Sequence, residues 1–184
     1  MSTPKIILAS SSQTRKDLMN RLRIDYQCMV PDIDESPRGE DHADHLAQRL
    51  AFEKAKTIAE QYPEAIVIGS DQVAWREGAP DIFIGKPLTV EKAIKQLQAN
   101  SDKIVYFSTA LSVQQQSTGF EKTLVEHYKV KFRKLGHAEI ERYIEVDQPL
   151  MCAGSFKCES LGISLFEQMT GQDQTTLMGM PMIQ

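Results

Sequence analysis

The chain has 184 residues, a length suited to one domain. Hydrophobic residues make up 41% and charged residues 25%, enough for a sizeable core and too much for a disordered chain. Lys and Arg number 21 against 25 Asp and Glu, and the formal charge of −4 excludes a general binder of nucleic-acid polymers or anionic membranes, which needs a basic face; it leaves room for a small anion held by a few placed cations.

Residues 5–9 form a short apolar run that reads as a buried strand. A polar turn follows, and residues 13–22 have helical spacing through Leu18 and Leu22. Residues 26–30 read as a second strand closed by Pro31, and residues 32–41 as a polar loop. Residues 42–61 make a long helix with Leu46, Leu50, Ala55 and Ile58 near one face, stopped by Pro63. A compact strand over 65–69 is expected to deliver Ser70 and Asp71 to its C-terminal end. Residues 73–75 and 82–84 flank a turn and suit a hairpin. Thr89 is a good N-cap for a helix continuing over 91–99. Two long strands are expected over 103–114 and 123–132, a helix over 136–146, and late strands over 151–156 and 162–166. No final amphipathic helix is visible before Gln184. Alternating helices and strands with hairpins argue an α/β domain built on a mixed sheet.

No apolar run approaches the roughly 18 residues of a membrane span, and the first seven residues carry no signal-peptide core. Three cysteines, Cys28, Cys152 and Cys158, do not make a disulfide framework and read as reduced cytosolic thiols. Gly85-Lys86 is not a P-loop, because Pro87 follows and the upstream glycine is misplaced. There is no dinucleotide-binding glycine motif and no nucleophile elbow. The four histidines lack ligand spacing and read as surface residues, which puts acid–base work on carboxylates.

The segments with chemical potential are then few. In Ser10-Ser11-Ser12-Gln13-Thr14-Arg15-Lys16 a strand ends and a helix begins, offering unpaired N–H groups with two cations in the first turn. The plainer reading is that Ser12 caps the helix. Asp32-Ile33-Asp34-Glu35 offers oxygen ligands for a divalent metal, or a solvated turn. Glu53-Lys54-Ala55-Lys56 alone reads as a wet helix face. Asp71, after a buried strand, stands where open α/β sheets bind ligands, although an Asp capping a turn is common there too. Gly85-Lys86-Pro87 aims a lysine from a stiff turn, and Ala153-Gly154-Ser155 permits close approach ahead of Glu159. Separated cations with two or three carboxylates suit metal-dependent hydrolysis of a phosphoanhydride, where catalysis is positioning and charge stabilisation.

These pieces, in this order, resemble the Maf-type nucleoside triphosphate pyrophosphatases from about residue 5 to residue 183. The matching segments are Leu8-Ala9-Ser10 through Arg15-Lys16, Asp34-Glu35, Glu53-Lys54-Ala55, Gly69-Ser70-Asp71, Gly85-Lys86-Pro87 and Ala153-Gly154-Ser155-Phe156-Lys157. The resemblance implies a single Maf/ITPase-like domain over 1–184, with a mixed sheet, flanking helices and two lobes around a central cleft. It implies a cytoplasmic enzyme, commonly a homodimer, that hydrolyses a nucleoside triphosphate to the monophosphate and pyrophosphate with a divalent cation, Mg²⁺ or Mn²⁺. Family members often continue into a C-terminal helix, which leaves open whether Gln184 is the native end.

Carried over by position, Asp71 matches the proton acceptor, and Ser10, Arg15, Lys54 and Lys86 match phosphate contacts. Glu35 matches an acid beside the metal and phosphates, with Asp71 as the other candidate metal ligand. Lys16 replaces a second Arg, keeping the charge without the bidentate fork. The resemblance is closest to the 7-methyl-GTP subgroup, whose A-G-S-F-K-x-E segment is met by Ala153 to Glu159. The specificity positions map to Thr14, Gln72 and Glu159; Thr14 stands where the subgroup can carry Trp, and the dTTP/UTP subgroup has Gln at Glu159. Trp75, the single Trp, is expected to pack on the core. Two other readings fit the same residues: the same reaction on dTTP, UTP or other non-standard nucleotides, and a nucleotide-binding division regulator without catalysis.

Overall fold

The computed structural model describes residues 4–39 and 42–184, so Glu40 and Asp41, at the end of the loop expected over 32–41, and Met1 to Thr3 lie outside the described residues. The first half of the chain contributes strands β1 (Ile6–Ala9), β2 (Gln27–Met29), β3 (Ile66–Arg76) and β4 (Ala79–Ile84), with helices α1 (Gln13–Arg21) and α2 (Ala43–Gln61) between them. Helix α3 (Val90–Asn100), the long hairpin β5 (Ile104–Gln115) and β6 (Phe120–Phe132), helix α4 (His137–Asp147), strand β7 (Phe166–Thr170) and the short helix α5 (Gln174–Leu177) complete the order. The sheet has seven strands in the order β2-β1-β3-β5-β6-β7, with β4 paired to β3 off that path. β1 pairs parallel with β2 and β3, whereas β3, β5, β6 and β7 pair antiparallel.

One edge of β3 creates the opening in the molecule. On its other edge β3 pairs with β5 from Val67 to Arg76 without interruption. On this edge β1 stops at Ala9, opposite Gly69, and antiparallel β4 ends at Ile84, opposite Ala74. Among the described residues, positions 70–73 therefore have no strand partner on that side. A sheet edge that changes partners in this way leaves a crevice for a ligand. The strand expected over 65–69 is thus too short: Ser70 and Asp71 lie inside an 11-residue strand, extended by its pairing with β5.

Helix α2 crosses β3 at Gly69, where a Cβ would fall 2.3 Å from the Ala51 carbonyl oxygen and 2.7 Å from Ala55 N. Ala47, Ala51, Ala55 and Ala59, all buried, keep the helix close to the sheet. Beyond the crevice a second cluster gathers around Phe107, Phe132, Phe156 and Phe166, whose rings meet edge to face at 4.8–5.7 Å. Ala93 and Leu97 of α3 and Ile140 and Ile144 of α4 close it.

The late strands expected over 151–156 and 162–166 are not formed. Residues Ala153–Ser155 and Leu161–Leu165 are 3₁₀ turns, and the strand starts only at Phe166. Gly154 (φ 79°) and Ser155 (φ 62°) are both left-handed, which breaks an extended run. Gly162 then folds the chain back so tightly that a Cβ would meet the Lys157 carbonyl at 2.4 Å. Near the end, Asp173 caps a single four-residue helical turn, α5. Among the described residues no helix is long and apolar enough to cross a membrane.

Candidate active site

Ser10 leaves β1 buried, and its Oγ accepts from Ser12 N at 3.1 Å and from Arg15 Nη1 at 3.5 Å. Ser12 caps α1, accepting from Arg15 N at 3.4 Å, as the plainer reading of that serine expects. The first turn of α1 contains no acid, so the positive helix end stays uncompensated from within. Arg15 Nε donates to the Gly179 carbonyl at 2.8 Å. Burial lowers the Arg15 pKa, and Asp71 and Glu35 oppose that effect. A guanidinium remains a cation through such shifts.

Below this turn, Lys54 joins two carboxylates. Its Nζ lies 2.6 Å from Asp71 Oδ1 and 2.8 Å from Glu35 Oε1. Only 7% of the Lys54 side chain and 11% of the Asp71 side chain are exposed, against 59% for Glu35. Burial works to raise the Glu35 carboxyl, but Lys54, with Lys86 and Arg15, holds it below the ordinary value. The loop carrying Glu35 is tied to α2 by Arg49 donating to the Ser36 carbonyl at 2.8 Å, and by Arg38 and Arg49 reaching Glu53 at 2.7 and 3.1 Å. Glu53, which alone reads in the sequence as part of a wet helix face, thus secures the loop that carries Glu35.

Glu35 and Asp71 are hard oxygen donors a single ammonium apart, which fits Mg²⁺ or Mn²⁺ held by one or two carboxylates plus substrate phosphates. Among the described residues no group of three His, Cys, Asp or Glu is placed to hold an ion.

A cleft of ≈ 890 Å³ brings Ser10, Thr14, Arg15, Glu35, Lys54, Asp71, Gln72, Lys86 and Glu159 together. Lys16 is not among its lining residues. One helical position rotates Lys16 about 100° from Arg15, and its carbonyl accepts from Tyr26 on the outside. Trp75 does not line the cleft either; it stacks on Tyr106 at 4.3 Å. His127 and His42 face Asp44 at 2.9 and 3.6 Å, away from the carboxylates of the cleft.

On the far wall, the Cys158 thiol approaches Glu159 Oε2 at 3.5 Å. Burial and the Glu159 charge push that thiol up to about 12, so it stays protonated and donates. Gln72 Nε2 donates to Thr109 Oγ1 at 3.0 Å and to the carbonyls of Thr176 and Leu177 at 2.9 and 3.2 Å. These acceptors fix which way the amide faces.

Sequence reasoning missed the segment that steadies this wall. The Gly179 carbonyl accepts from Ser70 Oγ at 2.8 Å as well as from Arg15. Asp173, 4% exposed, closes the segment by accepting from Thr175 N and Oγ1 and from Met182 N and Ile183 N at 2.6–3.0 Å. A buried Asp preceding Thr175-Thr176 was the available signal, as an N-cap.

The Maf-like protein family model matches residues 5–184. A nucleoside triphosphate pyrophosphatase of Acinetobacter baylyi is 67% identical over 178 residues, spanning 97% of this chain and 90% of that protein. A 7-methyl-GTP pyrophosphatase of Pseudomonas savastanoi pv. phaseolicola is 47% identical over 180 residues, spanning 98% and 92%. Among solved structures, a Staphylococcus aureus Ham1 protein aligns with a TM-score of 0.49 at 18% identity over 71% of this chain and 72% of its own. A HAM1 protein from Coxiella burnetii aligns with a TM-score of 0.49 at 17% identity over 72% and 75%. Motifs scattered along the sequence meet in one cleft, and the family match runs almost from end to end: the chain belongs to the Maf family.

Proposed function

We propose that the protein hydrolyses nucleoside triphosphates to the monophosphate and pyrophosphate, with 7-methyl-GTP among its preferred substrates. The observation that carries this reading is the convergence of Arg15, Lys54 and Lys86 with Glu35 and Asp71 on one cleft in a chain of net charge −4. Three cations and the N-terminal end of α1 face the triphosphate oxygens, as phosphate binding needs. Asp71 Oδ1 is taken by Lys54, so Oδ2 is the atom offered to water. Asp71 accepts the proton as that water attacks the α-phosphorus; the bond from the α-phosphorus to the bridging oxygen breaks, and pyrophosphate leaves with the electron pair. Glu35 and Asp71 would hold a divalent cation, which supplies positive charge to the departing oxygens when bound.

At the base end, Gln72 presents its amide oxygen and Glu159 its carboxylate. A 7-methylguanine ring is cationic, and its N–H donors gain a charge-assisted pair with Glu159. A broader substrate range is the second reading, favoured by the 67% identical relative whose name specifies no base.

A panel of triphosphates, including 7-methyl-GTP, GTP, dTTP and UTP, scored for pyrophosphate release with Mg²⁺ or Mn²⁺ tests both. Release from 7-methyl-GTP at or near the top supports the first reading, and comparable release from all supports the second. Binding without release at saturating metal would make the protein a non-catalytic nucleotide binder instead.

A further inference from the structure

Helix α3 belongs to no motif, yet it reaches both walls of the cleft. Ala93, Gln96, Leu97 and Asn100 follow the three- and four-residue spacing of one helical face. Ala93 and Leu97 are buried, which turns the two polar members toward the protein. Gln96 Oε1 accepts from the buried Ser155 hydroxyl at 2.5 Å, and Gln96 Nε2 donates to the Gly85 carbonyl at 3.0 Å. One turn on, Asn100 Nδ2 donates to the Gly154 carbonyl at 3.4 Å.

A single amide therefore joins the segment that carries Lys86 to the segment that leads into Glu159. Both segments contain left-handed backbone at residues with side chains, Leu88 (φ 64°) on one and Ser155 (φ 62°) on the other. Such conformations persist only where the surroundings impose them. Leu88 N donates to the Leu150 carbonyl at 3.0 Å, so Lys86 lies between two pinned points, Gly85 and Leu88.

We propose that Gln96 is a positioning residue: by bonding Ser155 and Gly85 together it sets the separation between the phosphate-facing Lys86 and the base-facing wall at 152–159. The inference rests on the reading of Lys86 as a phosphate contact. The chemistry requires an amide, because one group must accept at one end and donate at the other. Glu at this position keeps the acceptor for Ser155 and sets a carboxylate against the Gly85 carbonyl; Met keeps the length and neither bond.

The test is a double-mutant cycle on 7-methyl-GTP hydrolysis with Gln96→Met, Lys86→Ala and the pair, reading KM and kcat. Gln96→Met is expected to raise KM several-fold, within the roughly 10²-fold that a 1 Å misplacement can cost. The pair is expected to resemble Lys86→Ala alone, because the ammonium that Gln96 positions is already gone. Multiplying single effects, or a lowered Tm with KM unchanged, overturns the proposal and leaves the phosphate reading intact. A normal KM for Lys86→Ala overturns both. If Gln96→Met does not fold, Gln96→Glu is read through the same cycle. The Leu88 amide provides a readout independent of activity: faster hydrogen exchange in the variant is expected, and unchanged exchange counts against the proposal.

Discussion

Lys54 of α2 and Asp71 of β3 meet at 2.6 Å because the helix lies almost on the strand two residues earlier, at Gly69. The glycine is a spacing device. A Cβ there would meet the Ala51 carbonyl oxygen at 2.3 Å, and backbone cannot rotate aside as a side-chain end can.

Gly69→Ala is therefore expected to push α2 off the sheet and draw Lys54 away from Asp71. Overpacking of this kind costs about 1–3 kcal/mol. Urea titration should report that loss, and kcat/KM should fall with it. Wild-type stability and activity together would show that α2 does not set the Lys54–Asp71 distance.

Asp71→Asn keeps an oxygen that can accept from Lys54 but removes the proposed proton acceptor. Loss of a general base costs on the order of 10²–10⁴-fold in rate. The expected outcome is a collapse in kcat with circular dichroism unchanged. Near wild-type pyrophosphate release would remove Asp71 from the chemistry. Lys54→Met differs in kind: it leaves a buried carboxylate without its partner, and a stability loss of about 3–5 kcal/mol is expected by urea titration.

Much of this arrangement was legible in the sequence because local rules carried it. Ser12 and Thr89 signalled their helices as caps, and the alanine and leucine spacing of α2 signalled its buried face. What escaped was set by partners distant in the chain. The length of β3 depends on β5, so Ser70 and Asp71 could not be placed mid-strand from residues 65–69. The turn at Ala153–Ser155 looked like a strand because the left-handed Ser155 is imposed by tertiary contacts, one of them with Gln96. The Gly179 carbonyl, which holds both Arg15 and Ser70, is a main-chain atom with no side-chain signature at all.

Asp173 gives that hidden segment a pH signature. Burial works to raise its carboxyl, but the Thr175 hydroxyl and the backbone N–H groups of Met182, Thr175 and Ile183 hold it below the ordinary value. A carboxyl lowered on folding stabilises the protein above its unfolded pKa, about 3.9. That contribution is lost as pH falls through the lower, folded-state value. Asp173→Asn should cost about 2 kcal/mol at pH 7, or roughly 4–8 °C in Tm. The gap to wild type should close below about pH 4. KM should rise as well, because the segment no longer steadies Arg15 and Gln72. A Tm gap that stays constant from pH 3 to pH 7 would show that the charge on Asp173 is not what closes the segment.

In the proposed function, base choice turns on Glu159. It is exposed at the cleft wall, where the Cys158 thiol, a weak donor, approaches it at 3.5 Å, so its carboxylate remains available to a ligand. A charge-assisted hydrogen bond exceeds a neutral one by about 1–1.5 kcal/mol. Glu159→Gln keeps the shape and an acceptor oxygen but removes the charge that favours a cationic base. The preference for 7-methyl-GTP over GTP, as a ratio of kcat/KM values, should therefore fall by roughly tenfold. Hydrolysis of triphosphates with uncharged bases should persist, because the cations at Arg15, Lys54 and Lys86 are untouched. An equal loss on every triphosphate would assign Glu159 to the reaction rather than to the base, and an unchanged ratio would move the source of selectivity to Thr14 or Gln72.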